Sequence, residues 1–122
     1  MSNEEIRLAM AQVLEPQYEW EIFEDIYLNA PQRYRNDVGF RYPAHSGWII
    51  AKNYPEDLNA MHEAEKTLEH PEAYASRLGP ILLRDKAVSN MDGTTAWHFA
   101  FSHATACQRA EAFLKTKGLW KE

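Results

Sequence analysis

Two stretches decide how this chain folds: Asp57-Leu-Asn-Ala-Met-His-Glu-Ala-Glu-Lys-Thr-Leu68 and Ala104-Thr-Ala-Cys-Gln-Arg-Ala-Glu-Ala-Phe-Leu-Lys-Thr-Lys-Gly-Leu-Trp120. In the second, Ala106, Ala110, Phe113 and Leu114 recur at helical spacing and predict one buried face. Ser102 or Thr105 is placed to accept hydrogen bonds from the first free amides. Lys115 and Lys117 complement the negative end of the helix dipole, and Gly118 stands where a helix commonly closes in left-handed backbone. In the first stretch Asp57 is a good N-cap with Pro55 just before it, and Leu58, Met61, Ala64 and Leu68 supply the apolar stripe. Glu63 and Lys66 form an i, i+3 pair on its wet side. Both stretches are rich in alanine, whose small side chain permits close packing on a sheet.

The remaining elements are read outward from these two. Ser2-Asn-Glu-Glu5 has capping-box spacing, and Ile6, Ala9, Met10, Val13 and Leu14 continue it as one helical face that Pro16 ends. From Tyr18 to Ile22 apolar and acidic residues alternate, which predicts a strand with Tyr18, Trp20 and Ile22 inward. Residues 29–46 read as a long loop around Pro31, Gly39 and Pro43, and Gly47-Trp-Ile-Ile-Ala51 as a second, buried strand. A short helix over Glu72–Leu78 is expected between His70-Pro71 and Gly79-Pro80. Asp92-Gly93 predicts a hairpin turn between arms Ala87–Asn90 and Thr94–Phe101, with Trp97, Phe99 and Phe101 facing a helix layer. This order predicts an α+β fold: a single domain over residues 1–122, with a small antiparallel sheet covered by helices.

Composition narrows the function classes. A chain of 122 residues, 45% hydrophobic, is long enough to bury one core. It has no run of 18 apolar residues and no basic-then-apolar leader, so neither a membrane span nor a signal peptide is expected. Cys107 is the one cysteine, which excludes an intrachain disulfide and fits a reducing cytoplasm. The net charge is −5, and all of the excess lies in residues 1–61, with ten acidic and five basic side chains against eight of each in residues 62–122. Duplex nucleic-acid binding needs a continuous cationic surface, and this sequence offers none.

The phrases Leu58-Asn-Ala-Met-His-Glu-Ala-Glu-Lys66 and Ala104-Thr-Ala-Cys-Gln-Arg-Ala-Glu-Ala-Phe-Leu114, with the closing Gly118-Leu-Trp120, resemble the two recurring blocks of the phage α-β-α (ABA) sandwich domain family. The resemblance covers roughly a quarter of the chain and leaves residues 15–54 untouched. It implies an α-β-α sandwich and a small accessory protein of a phage or prophage. It carries over no catalytic residue.

No catalytic constellation is visible. His62-Glu-Ala-Glu-Lys66 begins like the zinc-protease helix but has Lys66 where the second histidine must stand. His98, His103 and Cys107 lack a fourth ligand and read as a buried thiol with a partly exposed histidine, so no metal and no cofactor is assigned. Neither a nucleophile elbow nor a phosphate loop is present. The carboxylates Glu19, Glu21, Glu24 and Asp25 read as a solvated face. The sequence therefore points away from an enzyme.

Two features point to binding. Arg33, Tyr34, Arg35, Arg41 and Tyr42 make a basic and aromatic island inside the acidic half, suited to an anion with a stacking ring. They would equally pair with the Glu19–Asp25 cluster. Arg109 falls about 90° from the centre of its helix's apolar face at 3.6 residues per turn, and His62 holds the matching rim position on the other helix. Each would serve a ligand or a boundary salt bridge. The reading is a cytoplasmic, non-enzymatic phage accessory protein, such as a counter-defence factor, that sequesters a small anionic, nucleotide-like ligand. The alternatives are a module that inhibits a host protein through the acidic half, and a small hydrolase. A homo-oligomer is expected, with Trp48, Leu119 and Trp120 as the self-association patch.

Overall fold

A computed structural model describes residues 1–22, 38–42 and 47–122, the backbone alone for 40–42, 47 and 48. Among them are five helices and a three-stranded antiparallel sheet, an α+β fold. The chain divides into two compact units, residues 1–53 and 54–122.

In the first unit, helix α1 (Asn3–Leu14) starts at the predicted capping box: the Glu5 amide donates to Ser2 Oγ at 3.1 Å and the Ser2 amide to Glu5 Oε1 at 3.2 Å. Strands β1 (Glu21–Ile22), β2 (Val38–Tyr42) and β3 (Gly47–Ile50) pair in sequence order, with Glu21 opposite Gly39 and Phe40 opposite Ile49. Helix α1 packs on β1 and β2, where Ala11, Trp20, Val38 and Ala51 form a small buried cluster. The Trp20 indole N–H donates to the Glu15 carbonyl at 2.9 Å, so the polar end of a buried ring is satisfied. Two expectations are corrected here. The first strand is only two residues long, with Tyr18 exposed ahead of it. Residues 38–42, read as loop, form the central strand; Val38, Phe40 and Tyr42 do alternate, but Gly39 and the nearby Pro43 concealed the period.

The second unit is four helices: α2 (Leu58–Glu65), α3 (Pro71–Arg84), α4 (Thr94–Ser102) and α5 (Ala106–Thr116). Asp57 caps α2 through the Ala60 amide at 3.1 Å, and Thr105 with Gln108 forms a capping box on α5. Helix α5 lies against both α2 and α3. Its residues Arg109 to Leu114 are all buried, so it is the central element of this unit.

Two expectations fail in this unit. Helix α3 does not stop at Gly79-Pro80 but runs on to Arg84. Proline in a helix interior removes a hydrogen bond and crowds the preceding turn, yet Tyr74, Leu78, Ile81 and Leu82 form one continuous buried face across it. Packing overrides the local signal. Nor do residues 87–101 form a hairpin. The Ser89 amide donates to Asp92 Oδ2 at 2.8 Å, which closes a turn, and Gly93 is the N-cap of α4. The aromatic alternation was ambiguous because Trp97 and Phe101 are also one helical turn apart. Their rings stand 6.0 Å apart over Gly79, where a Cβ would meet each at 3.8 Å.

Both α3 and α5 end in Schellman motifs. In α5 the Leu119 amide donates to the Leu114 carbonyl at 2.8 Å and the Gly118 amide to Lys115 at 3.1 Å, with Gly118 at φ 72°. In α3 the Ala87 amide donates to Leu82 at 2.9 Å, and Lys86 takes the left-handed position at φ 60°. Gly118→Ala is expected to lose about 1 kcal/mol through forced left-handed backbone. By contrast, Gly79→Ala should gain about 0.5–1 kcal/mol, since the new methyl finds only ordinary contacts and helix propensity improves. Urea unfolding midpoints of the two variants measure both effects.

Candidate functional site

Arg109 does not reach outward. It is 7% exposed, and each of its nitrogen atoms is engaged. Nε donates to the Ala104 carbonyl at 3.0 Å, Nη1 to both oxygens of Glu65 at 3.1 and 3.2 Å, and Nη2 to the carbonyls of Phe101 and Ser102 at 3.0 and 3.3 Å. One guanidinium thus closes the C-terminal end of α4 and ties it, through α5, to Glu65 at the end of α2. A fork with five donors is suited to such convergence, and a lysine could not reproduce it. The Tyr74 hydroxyl, from α3, lies buried beside the pair. Burial first, and then the Glu65 carboxylate, hold its phenol well above the ordinary range. Arg109 is a structural tie with no donor left for a ligand.

The other expected site residues are scattered. His62 is exposed on α2. Arg33, Tyr34 and Arg35 lie outside the described residues. Arg41 and Tyr42 belong to β2, where they pair in register with Trp48 and Gly47. Cys107, expected to be buried, is exposed on the first turn of α5, and His98 and His103 are exposed as well. Partial desolvation, followed by the charges of Glu111 and Asp85, raises the Cys107 pKa, which keeps it a thiol and a poor nucleophile. Among the described residues no group of three His, Cys, Asp or Glu is placed to hold a metal ion. No described helix is long and apolar enough to cross a membrane.

A second ionic cluster runs along the α3–α5 seam. Glu111 is 6% exposed and takes Arg84 in a fork, Nη1 to Oε2 at 2.6 Å and Nη2 to Oε1 at 3.0 Å, with Lys115 Nζ at 2.8 Å. Arg84 also holds Asp85, which accepts from Gln108 as well. Burial pushes the Glu111 carboxyl up, but the hydrogen bonds from Arg84 and Lys115 outweigh it, and the net shift is downward. Asp85 is lowered mainly by its hydrogen bond from Arg84.

Lys115 links this cluster to a recess at the end of α5. Arg77, Lys115, Gly118, Trp120 and Glu122 line a shallow depression of about 390 Å³ that is largely open to solvent. Lys115 Nζ stands 5.8 Å from the centre of the half-buried Trp120 ring, within cation–π range. Arg77 is exposed and makes no ion pair among the described residues. No local pattern points to this arrangement, because Arg77 and Trp120 are far apart in the chain and Lys115 reads as a helix-dipole partner. A second recess, of about 460 Å³ over the 83–92 turn, sets Lys86 against Asp92 and has no aromatic wall.

Searches of the chain against protein-family models, curated proteins and solved structures return no match. The likeness to the phage sandwich family therefore rests on the two helical phrases alone.

Two outcomes follow from the ionic groups. Arg109→Ala removes the fork on Glu65 and the side-chain donors to the Ala104, Phe101 and Ser102 carbonyls, and is expected to cost about 3–5 kcal/mol, as broken buried pairs do. His62→Ala, at an exposed site, should stay within about 0.5 kcal/mol; thermal unfolding of both compares them. Asp85 and Glu111 have folded pKa values below their ordinary 3.8 and 4.5. The stability they contribute is therefore complete above those ordinary values and is lost as pH falls through the lower folded ones. Melting temperature measured from pH 7 downward should drop below about pH 4.5, as carboxylate linkage requires, and Glu111→Gln should flatten part of that drop.

Proposed function

We propose that this chain is a non-enzymatic accessory protein of a phage, acting in the host cytoplasm, that binds and sequesters a small anionic ligand of the nucleotide class. The observation that carries the reading is the recess that brings Arg77, Lys115 and Trp120 together. Its volume of about 390 Å³ lies in the range of small-molecule sites. An indole face is a stacking platform for a base, and a guanidinium takes phosphate oxygens in a fork. Lys115 shares its charge with Glu111, whereas Arg77 makes no ion pair among the described residues. Glu122 on the same wall disfavours a bare anion and accepts from a donor such as a base amino group. Together these preferences favour a nucleotide over inorganic phosphate. The likeness of the two helical phrases to the phage family supports the source, and a sequence without a nucleophile elbow or phosphate loop favours sequestration over turnover.

Thermal shift against linear and cyclic nucleotides tests this. A ligand at a hundred times its Kd stabilises by about 2.7 kcal/mol, which raises the melting temperature by about 10 °C in a domain of this size. Arg77→Ala and Trp120→Ala should each remove the shift, and inorganic phosphate should give little. A shift that survives both variants but disappears in the Arg33, Arg35 and Arg41 triple alanine variant moves the site to the basic and aromatic island. No shift with any nucleotide at millimolar concentration rejects the reading.

A further inference from the structure

Asp92 is the one Asp or Asn of this chain that is followed by glycine. An aspartyl side chain holds its Cγ within reach of the next residue's amide nitrogen, and a five-membered imide can close between them. Closure is normally prevented by a bulky following side chain, by a hydrogen bond that occupies the following amide, or by burial that fixes the side chain. None of these applies at Asp92. Gly93 has no side chain, and a Cβ built on it would meet nothing within 4 Å. Its amide donates to no group among the described residues. Residues 90–94 are all exposed. Other positions are guarded: the amide after Asn59 donates to Asp57 Oδ1, the amide after Asp85 to the Leu83 carbonyl, and the amide after Asn90 to Ser89 Oγ, each at 3.1 Å. The Asp92 carboxylate has one partner among the described residues, the Ser89 amide at 2.8 Å from Oδ2, and that bond is exposed.

We propose that Asp92-Gly93 is a site of spontaneous isoaspartate formation, whose product is a substrate for protein isoaspartyl O-methyltransferases. The Gly93 nitrogen bonds to Cγ of the protonated Asp92 carboxyl. Oδ1 leaves with its own proton and the one shed by the nitrogen, as one water, and no oxidant or reductant takes part. The Ser89 amide on Oδ2 stabilises the charge that gathers on that oxygen in the tetrahedral intermediate. Water then adds to either imide carbonyl. Addition at Cγ breaks the new bond and restores aspartate. Addition at the main-chain carbonyl carbon breaks its bond to the Gly93 nitrogen, so the chain now runs through Cβ and Cγ and the freed carboxylate sits on Cα. The consequence falls on α4. Gly93 is its N-cap, with no side chain to cap it, and the Gly93 carbonyl accepts from the Trp97 amide at 3.2 Å. No Asp, Glu, Lys or Arg stands between Gly93 and Gln108, so Asp92 supplies the charge beside the start of this helix, of the sign its dipole favours. An extra methylene in the main chain displaces both groups and frays the first turn.

The test ages the whole chain for several weeks in warm, mildly acidic buffer. It is then treated with an isoaspartyl O-methyltransferase and labelled S-adenosylmethionine, and peptide mapping places the label. Label is expected at residue 92, in a chain whose mass before labelling is unchanged. Gly93→Thr should abolish it, because φ −82° and ψ 178° suit threonine, which caps helices well and shields the nitrogen with a branched side chain. Circular dichroism shows that this variant remains folded. Asp92→Asn should convert faster through the same imide, releasing one ammonia per chain. Hydrogen exchange should show protection lost at the Trp97 amide of the isomerised chain. An aged wild-type chain without label at residue 92 overturns the proposal, as does equal label in Gly93→Thr. Unchanged protection at Trp97 in the isomerised chain overturns the link to α4.

Discussion

Helix α5 is enclosed over six successive residues, and two of them, Arg109 and Glu111, are ionic. Withdrawing a charge from water costs several kcal/mol unless partners replace the lost hydration. That requirement organises the helical unit. Glu111 is answered by Arg84 from the end of α3 and by Lys115 one turn along its own helix. Arg109 is answered by Glu65 from the end of α2 and by the carbonyls that close α4. Each neighbouring helix thus presents its terminus to α5, where free carbonyls or flanking charges are available. Phe113, Leu114 and Ala110 supply the apolar contact, and the two ion pairs set which ends meet.

What was legible in the sequence was local. The caps at Ser2, Asp57 and Thr105, the closing Gly118 and the buried face of α5 all depend on residues three or four apart, and all stand in the structure. The α+β class followed from these helices together with the strands read at Tyr18–Ile22 and Gly47–Ala51 and the hairpin expected over 87–101, of which the hairpin is absent from the structure. The failures share a different cause. Gly79-Pro80 and the aromatic alternation of residues 97–101 carry local signals that packing between α3 and α4 overrules. At β2 the alternation of Val38, Phe40 and Tyr42 was present but broken up by glycine. The end of α3 was unreadable because Lys86, not glycine, occupies the left-handed position.

The candidate site divides in the same way. Arg109 was read as a rim residue but is buried; its partner Glu65 is 44 residues distant, and no spacing rule connects the two. Arg77, Lys115 and Trp120 come from two helices and the segment after α5, so only the packing of α3 on α5 assembles the recess. The Arg84–Glu111 pair secures that packing, and the Lys115–Glu111 pair within α5 fixes one wall of it.

Helix α3 carries a consequence for the order of folding. Its second half contains the two residues least disposed to helix, adjacent to each other, and is held by burial against α5 and by the Arg84–Glu111 fork. An isolated chain has little reason to form that half early. Its ordering follows the assembly of α5 rather than preceding it, so mutations there bear mainly on the unfolding rate. The same half of α3 contributes Arg84 and sets the floor beneath Trp97 and Phe101. Loosening it would free the base of α4 before the rest of the unit gave way, a local opening confined to the uncharged face of the molecule.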